Sequence, residues 1–148
     1  MKKIASIGSY LKKIHRGYGN NILNLLSQRG FTDLRISFLE VMLYVCEHNG
    51  PTIREIGIGC NLKKQTMTSH LNELKKRGYL FTEINPRDRR EQRVHLSEYG
   101  EKFKLNLIES ISELEKIYTD IIGEVELERV NLMLVNFYEK LHESSLIP

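Results

Sequence analysis

The sequence predicts a mostly α-helical protein with one small β-hairpin, an α+β class, on three observations. Six stretches place apolar residues at steps of three and four, the spacing of an amphipathic helix. Two short runs, Tyr79–Ile84 and Gln92–Leu96, have alternating or β-branched character and flank a charged turn, which is typical of a hairpin. The chain has 148 residues, of which 41% are hydrophobic, so it can form one compact unit with a buried core.

Two helices are expected first in the chain. Apolar steps predict an amphipathic helix over residues 3–28, and Gly30 would close it. Thr32 or Asp33 would cap a second helix that runs to about Glu47. Because the second helix is apolar nearly all round, we expect it to be buried.

A short third helix follows a clear break at His48-Asn49-Gly50-Pro51. Thr52 and Glu55 have the T-x-x-E spacing of a capping box, which satisfies backbone N–H groups at the start of a helix. Within this helix, Ile53, Ile56 and Ile58 are the candidate core residues.

The fourth helix has one apolar and one polar face. Met67, Leu71 and Leu74 lie at i, i+4 and i+7 and therefore share the inner face. Gly78 would end the helix after a cationic last turn that suits the negative end of the helix dipole. The opposite, outer face holds four polar residues: Gln65, Ser69, Asn72 and Lys76.

The turn of the hairpin, Asn85–Glu91, carries three arginines at its tip: Arg87, Arg89 and Arg90. A polar-faced helix followed at once by a basic hairpin predicts a winged helix-turn-helix. Such a helix can enter the major groove of DNA, and an arginine tip can reach an adjacent minor groove.

Two further helices complete the chain, one capped by Ser97 and one over residues 124–143, with Gly123 between them. The first helix and the last two lie outside the winged core, and each carries a wide apolar stripe. We therefore expect residues 1–30 and 97–148 to form a helical dimerisation region and residues 31–96 the DNA-binding region. A dimer would present two recognition helices about 34–36 Å apart. In the alternative, the stripes pack on their own domain.

Charge is unevenly distributed along the chain. The net charge is +3, yet residues 1–50 carry +4, residues 51–96 carry +5 and residues 97–148 carry −6. Basic charge thus concentrates where the predicted winged core lies, as a protein that binds a polyanion requires.

Several classes of protein are disfavoured by the sequence. No apolar run approaches the roughly 20 residues that span a bilayer, so we expect a cytoplasmic protein without a membrane partner. We expect no enzymatic activity, because the sequence has no phosphate-binding glycine loop, nucleophile elbow or acid–base pair. No metal or other cofactor is expected, because the five histidines lack ligand spacing. We interpret His70 as a helix-flank residue near DNA, and His95 as a strand residue.

The two cysteines, Cys46 and Cys60, are too few for a disulfide framework or a metal cluster. Cys46 lies in an apolar helix and is expected to be an inert core residue. Cys60 lies at a helix end and could be either inert or a sensor of oxidants. The sensor is the weaker interpretation, because no basic partner is predicted for its thiol.

The chain resembles the MarR family of bacterial transcription regulators over nearly its whole length. The matching segments are Leu62–Ser69, Leu74–Leu80, Asp88–Arg90 and Val94–Gly100. The D-x-R wing followed closely by L-S-x-x-G is specific as a combination. The resemblance implies a homodimer that binds pseudo-palindromic operators as a transcription regulator, most often a repressor. It also implies control by small phenolic or lipophilic ligands, by oxidation or by metal.

The resemblance also assigns ten residues to double-stranded DNA. In the wing, Asp88 would orient the Arg90 guanidinium into a narrow A·T minor groove, and Arg87 and Arg89 would serve phosphates. Six residues from the start of the recognition helix divide into base-facing and backbone-holding sets. The base-facing residues are Gln65, Thr66 and Ser69, and the backbone-holding residues are Lys63, Lys64 and Thr68. No catalytic or effector-binding residue is assigned.

Two features leave room for other interpretations. Asn61 is the nearest conventional cap for a recognition helix that otherwise lacks one. Winged helices also bind RNA or dock protein partners, and this is the alternative function.

Overall fold

The computed structural model describes residues 1–148 and confirms the predicted class, mostly helical with one antiparallel hairpin. No helix in it has the length and apolar character needed to cross a membrane. The chain divides into two compact units, Met1–Ser110 and Ile111–Pro148. The elements, in chain order, are α1 (Lys3–Gln28), α2 (Ile36–Glu47), α3 (Ile53–Gly59), α4 (Lys64–Lys76), β1 (Leu80–Asn85), β2 (Asp88–Leu96), α5 (Glu98–Ile122) and α6 (Glu124–Glu143).

The predicted cap of α2 is wrong, although α1 spans the predicted residues. α2 begins at Ile36, and its N-cap residue Arg35 makes no side-chain capping bond. Asp33 is engaged elsewhere, because its carboxylate accepts a 2.6 Å hydrogen bond from the Tyr79 hydroxyl. Asp33 therefore bonds a residue 46 positions further along the chain and does not cap α2.

The capping box of α3 is confirmed, with the Thr52 hydroxyl accepting from the Glu55 N–H at 3.1 Å. Of its three isoleucines, Ile56 is fully buried, whereas the prediction for Ile58 is wrong because 69% of its surface is exposed. A helix turns about 100° per residue, so the side chain of Ile58, two residues after Ile56, points away from the core.

The core of the first unit lies between the winged elements and the start of α5. Its fully or nearly fully buried side chains are Ile22, Leu26, Leu39, Met42, Ile56, Met67, Leu71, Leu74, Tyr79, Val94, Phe103 and Leu107. The start of α5 is fixed by Ser97, whose hydroxyl accepts from the Gly100 N–H at 2.9 Å, as predicted for a cap. A Cβ atom on Gly100 would lie 2.2 Å from the Tyr79 carbonyl oxygen, so this position requires glycine.

Apolar side chains on two terminal segments are exposed. In the second unit, α6 has no buried residue, and Val125, Leu132 and Met133 are all exposed. In the first unit, the first half of α1 exposes Ile4 and Ile14. We call the exposed apolar residues of α6 and of the first half of α1 the terminal faces.

Candidate nucleic-acid interface

α4 separates its apolar and polar residues as predicted, with one correction. Met67, Leu71 and Leu74 are buried. His70 is buried as well, so its expected place on the flank near DNA is wrong. Its ring lies edge to face with Phe38 at 5.1 Å, because three residues after Met67 the helix returns to the core side. Burial, and secondarily the charge of Arg35, lower the pKa of His70.

The side of α4 opposite the core is exposed and polar. The six predicted helix residues are all exposed: Lys63, Lys64, Gln65, Thr66, Thr68 and Ser69. The Thr68 hydroxyl donates to the Lys64 carbonyl at 2.9 Å. The other five side chains have no hydrogen bond or ion pair within the chain, so they are available to a ligand. The outer surface of the helix, which we call the reading face, carries Gln65, Ser69, Asn72 and Lys76 in a groove of about 730 Å³.

The first turn of α4 has no side-chain cap. Lys63 occupies the N-cap position and accepts no N–H with its side chain, while Asn61 adopts a left-handed conformation at φ 52° and does not serve as the cap. The N–H groups of the first turn are therefore free, and they lie at the positive end of the helix dipole beside two lysines. This arrangement suits a phosphate group.

The opposite end of α4 is held in place by Arg77. Its guanidinium hydrogen-bonds Glu73 at 3.1 Å and the Asp33 carbonyl, and it lies 5.0 Å from the centre of the Phe38 ring. Tyr79, immediately after, bonds the Asp33 carboxylate. The pKa of Tyr79 is raised, first by burial and then by this hydrogen bond. α4 is thus joined to the segment that precedes α2, and the sequence analysis did not predict this role of Arg77.

The wing is longer than predicted. β2 begins at Asp88, so the predicted loop Asn85–Glu91 reduces to Pro86-Arg87 between paired strands. The side chain of Asn85 explains the tight turn, because its oxygen accepts the Arg87 N–H at 3.0 Å. The residues assigned to the loop from Asp88 onward are strand residues instead.

Asp88 acts on the backbone at the wing tip. Its carboxylate accepts the main-chain N–H of Arg90 at 3.0 Å. The side chains of Arg87, Arg89 and Arg90 are exposed and make no ion pair within the chain. The fold therefore presents three unneutralised guanidinium groups on a hairpin whose backbone is fixed.

Arg93, the fourth arginine of the wing, has a structural role that the sequence analysis missed. It donates to the Gly50 carbonyl at 2.9 Å and pairs with Glu91 at 2.8 Å. One residue on, the Val94 N–H donates to the Pro51 carbonyl at 2.8 Å. These bonds join β2 to the segment before α3, so the wing base is fixed relative to the helix-turn-helix.

The cysteines do not form a reactive site. Burial raises the pKa of both the Cys46 and the Cys60 thiol to about 11, so neither is a thiolate near neutral pH. No group of three or more His, Cys, Asp or Glu residues is arranged to hold a metal ion. A half-open cavity of about 410 Å³ lies beside the wing base, and its walls include Phe81, His95 and Lys104.

Comparisons with known proteins agree with this geometry. Residues 39–91 match the model of the MarR family. The chain is similar to a MarR transcriptional regulator from Methanosarcina mazei Go1, at 19% identity and a TM-score of 0.77 over 93% of this chain and 98% of that chain. It is also similar to the transcriptional repressor CouR bound to a 23-mer DNA duplex, at 19% identity and a TM-score of 0.75 over 93% of this chain and 96% of that chain.

A third similar structure is a MarR-family regulator from Rhodococcus sp. RHA1, at 18% identity and a TM-score of 0.72 over 90% of this chain and 93% of that chain. No curated protein matches the sequence. The structural likeness, at this level of identity, establishes the winged helix-turn-helix fold.

Proposed function

We propose that the chain is a member of the MarR family of transcription regulators, whose model matches residues 39–91, and that it binds double-stranded DNA sequence-specifically as a homodimer on pseudo-palindromic operators. In this proposal, residues 31–96 bind DNA and residues 1–30 and 97–148 dimerise. A dimer on a promoter would exclude RNA polymerase, so we propose repression as the outcome. A cytoplasmic location remains a prediction. The family consists of transcription regulators and not of enzymes.

The observation that carries this proposal is the exposed reading face of α4. Gln65 and Ser69 project their side chains without a partner in the chain. In the major groove, Gln can pair with adenine and Ser with any base. Thr66, beside them, can meet a thymine methyl group. Lys63, Lys64 and Thr68 would hold phosphates next to this face.

The wing tip supports the same function. Three exposed guanidinium groups without acidic partners in the chain are available to the phosphates of a polyanion. In our proposal, Asp88 fixes the backbone at Arg90 so that its side chain enters a minor groove, and Arg87 and Arg89 contact the flanking phosphates.

Dimerisation is supported by the terminal faces and their charges. Residues 1–32 contain six basic and no acidic residues, whereas residues 111–148 contain eight acidic and three basic residues. A second copy would cover the apolar faces and bring these opposite charges together. The copy would also supply the second recognition helix that a two-fold operator needs.

DNA binding is tested by fluorescence anisotropy on sites selected from random duplexes, over a range of salt concentrations. We expect Arg90→Ala to weaken all sites, and mainly those flanked by A·T tracts. We expect Lys64→Ala to weaken binding uniformly and to reduce the slope of log K against log salt by about one. Lys140→Ala, on the acidic C-terminal segment, is the matched control and should bind like the parent.

Two outcomes would overturn the assignment. Binding of Arg90→Ala and Lys64→Ala at the parent affinity would exclude these residues from the interface. Stronger competition by an A-form RNA duplex than by the selected B-form site would favour the RNA-binding alternative.

We further propose control by a small phenolic or lipophilic ligand. A ligand can shift the protein only through its preference for one arrangement of the two recognition helices. The cavity beside the wing base offers the Phe81 ring for stacking and the Lys104 ammonium for a phenolate or carboxylate. Salicylate is a suitable probe: it should release the parent from its selected DNA and should act less on Phe81→Ala. Equal effects on both proteins would remove this cavity from the proposal.

A further inference from the structure

Asn72, on the reading face, has no side-chain bond within the chain and no role in the assignments above. We propose that Asn72 is a further base-reading residue, which recognises an adenine within each operator half-site. The proposal rests on the proposed binding of double-stranded DNA and extends the reading surface by two helical turns beyond Gln65.

Asn72 lies in the middle of the reading face. At about 100° per residue, Gln65, Ser69 and Asn72 fall within an arc of about 60°. This arc is opposite the buried face formed by Met67 and Leu71. Asn72 is exposed, and it lines the same groove as Gln65 and Ser69.

The length of this row matches DNA. The seven residue-to-residue steps from Gln65 to Asn72 rise about 10 Å along the helix axis, at about 1.5 Å each. Base pairs are spaced by about 3.4 Å, so the row spans about three base-pair steps. Lys64 and Lys76 lie at the two ends of the same groove, where they can meet phosphates on either side.

The amide of Asn72 is free, in contrast to another asparagine of the chain. Asn106, on α5, donates its side-chain amide to the Lys102 carbonyl one turn earlier, at 2.9 Å. Asn72 makes no such bond, although the Thr68 carbonyl lies at the equivalent position. Asparagine is less favourable than alanine inside a helix, so Asn72 adds nothing to the helix through propensity, and its exposed amide is available to a ligand.

The chemistry of a free asparagine selects adenine. In the major groove its amide can accept from adenine N6 and donate to adenine N7 in one bidentate contact, which no other base offers with the same geometry. The neighbouring Glu73, which could accept from cytosine, is held by Arg77 at 3.1 Å. Asn72 is therefore the available reading group on this turn of α4.

The experiment selects bound duplexes from a random library with the parent, Asn72→Ala and two controls. Asn24→Ala replaces an exposed helical asparagine on α1, and Lys76→Ala removes a charge from the same face. We expect Asn72→Ala to lose about 5- to 150-fold of the preference for A·T at one position of each half-site. Asn24→Ala should keep every preference, and Lys76→Ala should weaken all sequences uniformly.

The outcomes separate this inference from the proposed function. If the parent selects a site and Asn72→Ala selects the same site with the same preference at every position, the role of Asn72 is overturned while DNA binding stands. If the parent selects no sequence, the proposed function itself fails. Circular dichroism of Asn72→Ala confirms folding, since alanine favours the helix and the site is exposed.

Discussion

The reading face and the terminal faces are both exposed, yet they differ in what they expose. On the reading face, Gln65, Ser69 and Asn72 offer polar groups that have no partner in the chain. On the terminal faces, Val125 and Met133 offer hydrocarbon with 71% and 64% of their surfaces in water. Polar groups without a partner in the chain are hydrated by water and can bind a specific ligand. A large apolar surface raises the free energy of the protein in water and therefore favours association.

In our proposal, two functions occupy separate surfaces of one small chain. On the reading face, hydrogen-bonding groups without internal partners share one side of a helix, and in our proposal they recognise DNA. On the terminal faces, exposed apolar residues are the surface that, in our proposal, a second copy covers. Substitutions that alter one surface and spare the other test this division.

The largest effect is expected from Leu134→Glu, which places a charge in the apolar seam of α6 formed by Leu127, Val130, Leu134 and Leu141. If a second copy buries this seam, an unpaired charge costs about 3–5 kcal/mol, or roughly 100-fold or more in the dimerisation constant. Sedimentation should then show a monomer at micromolar concentration, and operator affinity should fall with it. Asn136→Glu puts the same charge about 160° around α6 from Leu134 and should leave the dimer intact. A dimeric Leu134→Glu variant would contradict the assignment of this seam.

A smaller effect is expected from Gly100→Ala, which disturbs neither surface directly. The new Cβ would meet the Tyr79 carbonyl at 2.2 Å, so the start of α5 must shift away from the start of β1. We expect a loss of about 1–3 kcal/mol in the free energy of unfolding, measured by urea denaturation. An unchanged denaturation midpoint would show that the start of α5 can move away from the start of β1 without a loss of stability.

Acid should lower the free energy of unfolding through His70, which lies on the buried side of α4. Its pKa in the folded protein is lowered below the ordinary 6.5, mainly by burial, so the unfolded chain binds this proton more readily. The stability that neutral His70 supplies is present above about pH 6.5 and is lost as the pH falls from there towards the lowered value. Urea midpoints of the parent and His70→Gln should therefore converge on acidification, whereas the exposed-site control His142→Gln should follow the parent throughout.

The smallest effect, of opposite sign, is expected from Gly57→Ala. This glycine lies inside α3 without a positive φ, and a Cβ there would make an ordinary 3.5 Å contact with the Leu62 carbonyl. Alanine should raise the free energy of unfolding by about 0.5–1 kcal/mol through helix propensity. DNA affinity should stay at the parent value, because neither surface is altered. A lower unfolding midpoint would mean that the contact with Leu62 is repulsive.

Much of the fold was predictable because its signals are local. The bounds of α1, the Thr52–Glu55 capping box and the Ser97 cap depend on residues within one turn of each other. The hairpin followed from its alternating residues, but its length did not, since strand pairing through Asp88 depends on the partner strand. Ile58 was misplaced because a helix of only seven residues has no period long enough to identify its buried face.

Of the candidate site, the sequence identified exposed groups better than it identified what supports them. The six helix residues and three wing-tip arginines are exposed as predicted, because polar groups opposite an apolar stripe are visible in the periodicity. The burial of His70 was missed, because a histidine can occupy either side of such a helix. The support given by Arg93 to the wing base was missed because Gly50, its partner, is 43 residues away.

By itself, the sequence determined the order of helices and strands, the polar and apolar sides of α4, and the basic character of the winged core. Each of these is a property of residue types at short spacing. Only the tertiary structure decided which polar groups are used internally and which are free. The side chains of Arg93 and Arg77 donate to backbone carbonyls, whereas the side chains of Arg90 and Asn72 have no hydrogen-bond partner in the chain. That distinction depends on which distant backbone atoms the packed core brings within hydrogen-bonding distance, and no local pattern encodes it.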